Sequence, residues 1–389
     1  MRRAGPVMTN PTVRRASAAV LGALLAVAGT ALASPAAAAP PQKTAVIVHL
    51  TPGSDAAAES RRAAANGGSV SHVYEYAFRG FAGEFTPQAI AALERNPRVT
   101  LVEDDGLASV ADVQATPVWG LDRIDERDLP LDGQYSYAST GSGVTAYIID
   151  TGISAHTEFG TRLKAGFNAV RGPKTTADCN GHGTHVAGTV AGTTYGVAKQ
   201  AAVVPVRVLD CAGNGNWSGV ISGIDWAIKN HPAGAPAVAN LSLGGPANSS
   251  VDTAVANLVK DGVSVAVAAG NDNRDAVGYS PARVPTAITV AATDGTDTRA
   301  YFSNFGSWVD LFAPGVDITS AWLAGGVDTI SGTSMATPHV AGAAALLLSR
   351  PGSASLTPAQ VEGALVAAAT TGLVTDEQGS PDRLLYVGQ

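Results

Sequence analysis

An aspartate, a histidine and a serine, each standing where an apolar run gives way to a turn or a helical pattern, are the residues of this chain whose types could do chemistry together. Asp150 ends the run Val144-Thr145-Ala146-Tyr147-Ile148-Ile149 and is followed by Thr151-Gly152. His182 lies in Asn180-Gly181-His182-Gly183-Thr184-His185, where the bare glycine neighbours leave room for a second chain to reach the ring. Ser334 lies in Gly332-Thr333-Ser334-Met335-Ala336, at the head of an apolar run to Leu348. A serine hydroxyl is a poor nucleophile until an imidazole removes its proton, and the imidazole needs a carboxylate to fix its tautomer and stabilise its cation. Asn271, directly after Val267-Ala268-Ala269-Gly270, adds a side-chain amide of the kind that holds a developing oxyanion.

Taken singly, each residue has a plainer use. Asp150 and Asn271 read as turn residues, Ser334 as a helix N-cap, and His182 as one of a metal pair with His185 or as a structural histidine. A zinc peptidase needs His-Glu-x-x-His with its glutamate base, and the chain has no such pattern. The positive end of a helix also favours an oxyanion beside Ser334. An esterase or lipase of the α/β-hydrolase kind places its serine in Gly-x-Ser-x-Gly ahead of its Asp and His. Here Ser334 sits in Gly-x-Ser-x-Ala, and His339 is the only histidine after it.

The elements that must position these residues follow from the apolar pattern. Strands at 143–150, 202–209, 237–243, 264–269 and 287–291 are apolar on both faces, which implies a buried parallel sheet. Helical patterns at 182–192, 218–229, 250–261 and 334–349 fall between and after them, which makes an α/β domain with a mainly parallel sheet and helices on both faces. In such a sheet functional atoms collect at the carboxyl ends of the strands. Ahead of it, residues 44–110 read as strand 44–50, helix 55–65, alternating residues 70–85, a helix capped by Thr86 with Pro87 first, and strand 99–103. This β-α-β-β-α-β order predicts a small α+β, ferredoxin-like domain.

Residues 1–39 combine a basic stretch ending at Arg14-Arg15, an apolar run at 16–33 and Ala-x-Ala sites up to Ala39, the pattern of a removable signal peptide. Three parts are therefore expected: 1–39 for export, 40–110 as a small domain, and 111–389 as the catalytic domain. No later run is long and apolar enough to span a membrane. The two cysteines, Cys179 and Cys211, fall in the exported part, where an oxidising compartment favours a disulfide over free thiols. Of the 389 residues 46% are hydrophobic and only 15% charged, enough for a large core with much packing by small residues. Net charge is -7, and because residues 1–43 carry only five cations the remainder stands at -12. That balance, without a Lys/Arg cluster, excludes nucleic acid as a partner.

Asp150-Thr151-Gly152, Gly181-His182-Gly183-Thr184-His185 and Gly332-Thr333-Ser334-Met335-Ala336 resemble the three active-site signatures of the subtilisin superfamily, whose chain order is also Asp, His, Ser. Trp119-Gly120-Leu121, the positions of Cys179 and Cys211, and Ser303-Asn304-Phe305-Gly306 look most like its proteinase K and aqualysin branch. The resemblance spans residues 44–389, with a propeptide similar to the inhibitor I9 family.

The resemblance implies a secreted, monomeric serine endopeptidase. Asp150 would orient His182, His182 would serve as base and then acid, Ser334 would attack, and Asn271 with the Ser334 N–H would hold the oxyanion. Gly213, Asn214, Gly215, Asn216 and Trp217 would face Ser242, Leu243 and Gly244 across an extended peptide or protein substrate. Ala268, Ala269 and Gly270 would line the S1 pocket, with no acidic residue in that segment and hence broad apolar or aromatic acceptance. Calcium would be held by the carbonyls of Pro285 and Ala287 and the carboxylate of Asp310. The propeptide would act as folding template and inhibitor, its tail at 107–110 lying in the cleft, with self-cleavage near 110–112. A pseudoprotease or an esterase on the same fold is the competing reading.

Overall fold

A computed structural model describes residues 42–105, 112–172 and 174–388. The expected signal segment and the tail at 107–110 lie outside the described residues. The chain forms two compact units, one ending at Leu107 and the other starting at Ala108.

In the first unit, four antiparallel strands stand in the order Gly68–Tyr74, Gly80–Phe85, Thr44–Leu50, Val99–Asp104. Helices Ala56–Ala65 and Pro87–Glu94 pack on them around Val46, Val48, Phe81 and Phe85. Asp55 caps the first helix by accepting from the Ala58 amide, and Thr86 caps the second by accepting from Ala89, with Pro87 at the first position as expected. The β-α-β-β-α-β order is the predicted one.

The second unit is built on seven parallel strands, in the order Leu311–Pro314, Ile288–Thr293, Ser264–Ala268, Ala237–Leu241, Thr145–Asp150, Ala202–Arg207, Phe167–Asn168. The strand of this sheet that comes first in the chain, Thr145–Asp150, is thus interior, and later strands are laid down on either side of it. Its carboxyl end is a topological switch point, where loops from neighbouring strands diverge and open a crevice. Each face of the sheet carries its own core. Ala146 and Ile148 point into one, with helices His182–Ala191 and Thr333–Leu348. Tyr147 and Ile149 point into the other, with helices Trp217–Asn230 and Ser249–Lys260. That alternation is why these strands read as apolar without a period.

Helices Trp119–Ile124 and Pro358–Ala368 and edge strand Leu311–Pro314 were not anticipated from the pattern. Cys179 and Cys211 form a disulfide, which ties the loop before His182 to the loop after strand Ala202–Arg207. Closing a loop of 32 residues contributes about 3–4 kcal/mol in the chain-entropy account. Among the described residues no helix is long and apolar enough to cross a membrane.

Candidate active site

Asp150 is the last residue of the switch-point strand and is 0% exposed. Its Oδ1 accepts from the Thr151 amide at 2.7 Å and from His182 Nδ1 at 2.8 Å. With the proton on Nδ1 facing the carboxylate, Nε2 is left as the free base. His182 opens its helix, and its side chain is 25% exposed. Burial draws the imidazole pKa down, but the charge and hydrogen bond of Asp150, helped by Asp178, outweigh it and hold the pKa above the usual 6.5.

The glycines beside His182 have a different cause from the one expected. A Cβ on Gly181, which has φ +111°, would stand 2.3 Å from the Trp322 ring, and one on Gly183 would stand 2.3 Å from the Gly152 carbonyl. The space beside them is filled by the protein's own packing, not kept open for a second chain.

Ser334 is the second residue of helix Thr333–Leu348. Its Oγ donates to the Ser242 carbonyl at 3.2 Å, and the hydroxyl-to-imidazole hydrogen bond is not formed among the described residues. Ser242 returns the contact, its Oγ donating to the Ser334 carbonyl at 2.8 Å. That carbonyl needs an outside donor because residue 338, four positions on, is a proline without an N–H. Asn240 Nδ2 in turn donates to Ser242 Oγ at 2.8 Å.

Asn271 is oriented by Thr333, whose amide and hydroxyl both donate to Asn271 Oδ1 at 2.8 Å. Its Nδ2 and the Ser334 amide, which has no acceptor within the first helical turn, each lie 3.6 Å from the point a Cβ on Gly332 would occupy. Two N–H donors therefore border one small void.

A cleft of about 600 Å³ is lined by His182, Thr151, the expected segments Gly213 to Trp217 and Ser242 to Gly244, and the adjoining Gly245 and Pro246. It shares Leu243, Gly244 and Gly245 with a second cavity of about 200 Å³, which also contains Ala268, Ala269, Gly270, Asn271 and Ser334. Asp272 and Tyr279 line that second cavity as well, so it has an acidic residue that the 268–270 segment alone does not show. The Tyr279 hydroxyl is pushed to higher pKa by burial and then by Asp272, with Arg274 opposing. Thr333, the Ser242 side chain, Asp272 and Tyr279 were passed over in the sequence. The first two lie inside or beside segments already singled out.

Of the expected calcium ligands, Ala287 directly precedes strand Ile288–Thr293, and Asp310 hydrogen-bonds to the start of that strand. Ala287 closes a turn on the Val284 carbonyl, and Asp310 Oδ2 accepts from the Thr289 amide at 2.8 Å. Burial pushes the Asp310 carboxyl up, opposed by the Thr289 amide and then by Arg383, and the Glu362 carboxyl is raised by burial and then by repulsion from Asp310. A hard cation would relieve the repulsion, and two carbonyls with one carboxylate suit calcium if water completes its shell. Among the described residues no group of three or more His, Cys, Asp or Glu side chains could hold a metal ion, so a site here depends on carbonyl oxygens.

A buried carboxylate paired to an imidazole at the switch point of a parallel sheet, beside a helix-borne serine and a two-donor void, defines the serine-hydrolase class on an α/β scaffold. Residues 141–385 match the subtilase family and residues 37–110 the peptidase inhibitor I9 family. The chain belongs to the subtilase family of serine endopeptidases, with an I9 propeptide in front. It is 55% identical over 324 residues to the extracellular serine proteinase of Thermus sp. (strain Rt41A), covering 82% of this chain and 78% of that one. With alkaline serine exoprotease A of Vibrio alginolyticus it shares 52% over 324 residues, 82% of this chain but only 60% of that protein's length. The crystal structure of a cold adapted subtilisin-like serine proteinase superposes with a TM-score of 0.69 at 53% identity, covering 71% of this chain and 100% of that one.

Replacing Thr333 by Val keeps the amide donor to Asn271 but removes the hydroxyl. Steady-state kinetics on a peptide substrate should then show kcat reduced about tenfold, short of the ~10²–10³-fold loss of a whole oxyanion donor, with KM within about twofold. An unchanged kcat would mean that the amide alone orients Asn271.

Proposed function

We propose that the mature enzyme is an exported, monomeric endopeptidase that cleaves extended protein segments with broad, mainly apolar or aromatic P1 preference, and that it is released by its own activity from a precursor. The observation that carries the reading is the 2.8 Å Asp150–His182 pair, whose imidazole lines the cleft bordered by Ser242 to Gly244.

In this reading Ser334 Oγ leaves the Ser242 carbonyl and passes its proton to His182 Nε2 while attacking the scissile carbonyl. Apo sites often hold such bonds long or unformed until substrate is present. Asn271 Nδ2 and the Ser334 N–H receive the oxyanion, Asp150 stabilises the imidazolium, and His182 returns the proton to the leaving amine. Water then repeats the sequence on the acyl-enzyme. Substrate backbone adds as a strand between Gly213–Trp217 and Ser242–Gly244, which gives affinity without side-chain readout.

The walls at Ala268, Ala269 and Gly270 are small and accept bulky apolar side chains. Asp272 adds an exposed carboxylate that a lysine or arginine head could meet, so basic P1 residues form a secondary class. The I9 unit is read as template and inhibitor, because a parallel sheet with long-range pairing folds slowly and gains from prepaid loop closure. Calcium at Pro285, Ala287 and Asp310 would stabilise the fold without entering the reaction.

Three measurements test these points. A Ser334→Ala precursor expressed alone should stay uncleaved and resist serine-directed phosphonates; maturation in isolation would refute self-processing. In a P1-varied peptide library, Asp272→Asn should lose about tenfold on Lys relative to Phe, given ~1–2 kcal/mol for a partly exposed charge contact. Chelation by EDTA should lower Tm by about 5–10 °C, the shift for losing a ligand held near 100 times its Kd, and Asp310→Asn should abolish that calcium dependence.

A further inference from the structure

We propose that Asp178 is a positioning residue of the catalytic apparatus, whose carboxylate clamps the loop after Asp150 to the helix start that carries His182 and sets the charge felt by the imidazole. This rests on the roles assigned above to Asp150, His182 and Ser334.

Asp178 is 6% exposed, and its two oxygens receive five hydrogen bonds. Oδ1 accepts from Thr151 Oγ1 at 2.9 Å, the Asn180 amide at 2.8 Å and the Gly181 amide at 3.0 Å. Oδ2 accepts from the Thr184 amide at 2.9 Å and Thr184 Oγ1 at 2.7 Å. A buried carboxylate saturated in this way is held in one orientation, and it holds its donors equally.

Those donors enclose the catalytic pair. Thr151 directly follows Asp150, and its Oγ1 also accepts from the Gly183 amide at 2.9 Å. Gly181 and Gly183 flank His182, and Thr184 Oγ1 accepts in turn from the Ser154 amide at 3.0 Å on the Asp150 loop. The helix from His182 to Ala191 also lacks a side-chain cap of its own, because Gly181 stands at the N-cap. Asp178 supplies the missing acceptor from three residues upstream, meeting the third amide of the helix with a full negative charge at its positive end.

The effect is also electrostatic. The titratable groups that act on or are acted on by the His182 imidazole are Asp150, Asp178 and His185. Asp150 makes direct contact, His185 is a buried neutral ring with its pKa drawn down to about 4, and Asp178 is the second anion favouring the imidazolium. Neutralising Asp178 therefore lowers the affinity of His182 for its proton, and the base stays deprotonated to lower pH.

The test compares the parent with Asp178→Asn, Thr184→Val and Ser334→Ala, each folded by circular dichroism and assayed from pH 5 to 10 on one peptide. Asp178→Asn should lower kcat about 10- to 100-fold with KM within about twofold, and move the acid limb of kcat/KM to lower pH. Thr184→Val keeps the charge and removes one clamp, so kcat should fall while the acid limb stays in place. An Asp178→Asn enzyme with parental kcat and acid limb overturns the proposal, and so does a loss of kcat with an unmoved limb. If Asp178→Asn does not fold, Thr184→Val decides, and parental kcat there overturns it. Activity surviving in Ser334→Ala would instead refute the underlying catalytic reading.

Discussion

Removing a carboxylate from water is costly unless donors meet it, and Asp150 has no exposure at all. One oxygen is met by the Thr151 amide and by His182, while Oδ2 is buried without a protein partner. A half-satisfied anion of this kind is stabilised further whenever the imidazole becomes cationic, and that is the moment at which a serine has just lost its proton. The arrangement is affordable only because strand Thr145–Asp150 is interior to a parallel sheet and delivers the side chain to the switch point without any flexible stretch between core and site.

Ser334 is restrained by different means. Helix Thr333–Leu348 is buried along most of its length, and its first turn must satisfy polar groups with little water nearby. Thr333 spends its amide and hydroxyl on Asn271, Pro338 leaves the Ser334 carbonyl without its helical donor, and Ser242 fills that gap. The same Ser242 offers its carbonyl to Ser334 Oγ, so the resting hydroxyl is held on the substrate-strand side of the cleft.

Much of this was legible from residue types. Asp150, His182 and Ser334 stand at strand or helix ends that the apolar pattern locates to within a residue or two, and their chain order excludes the α/β-hydrolase alternative. Thr333 and Ser242 were not legible as partners, since a threonine at a helix start and a serine after a strand are ordinary, and the atoms they serve are 62 and 92 residues away. Helix Pro358–Ala368 carries a Thr357/Gln360 capping box and a first-position proline, yet only Val361 and Leu365 are buried, too few to give a periodic stripe. The glycines at 181 and 183 were misread because their crowding comes from Trp322 and from the Gly152 turn, contacts that no local pattern records.

Small residues also settle how closely two core helices pack. Helices His182–Ala191 and Thr333–Leu348 lie in the same core, and a Cβ on Gly342 would stand 2.5 Å from Val197 Cβ and 3.1 Å from the Val190 carbonyl. The helix bearing Ser334 can therefore approach the end of the His182 helix only where a side chain is missing. Ala336, Ala341, Ala343, Ala344 and Ala345 extend the same low-profile surface. Interiors pack near crystal density and deform little, so these small residues fix the spacing of the two helices that carry His182 and Ser334.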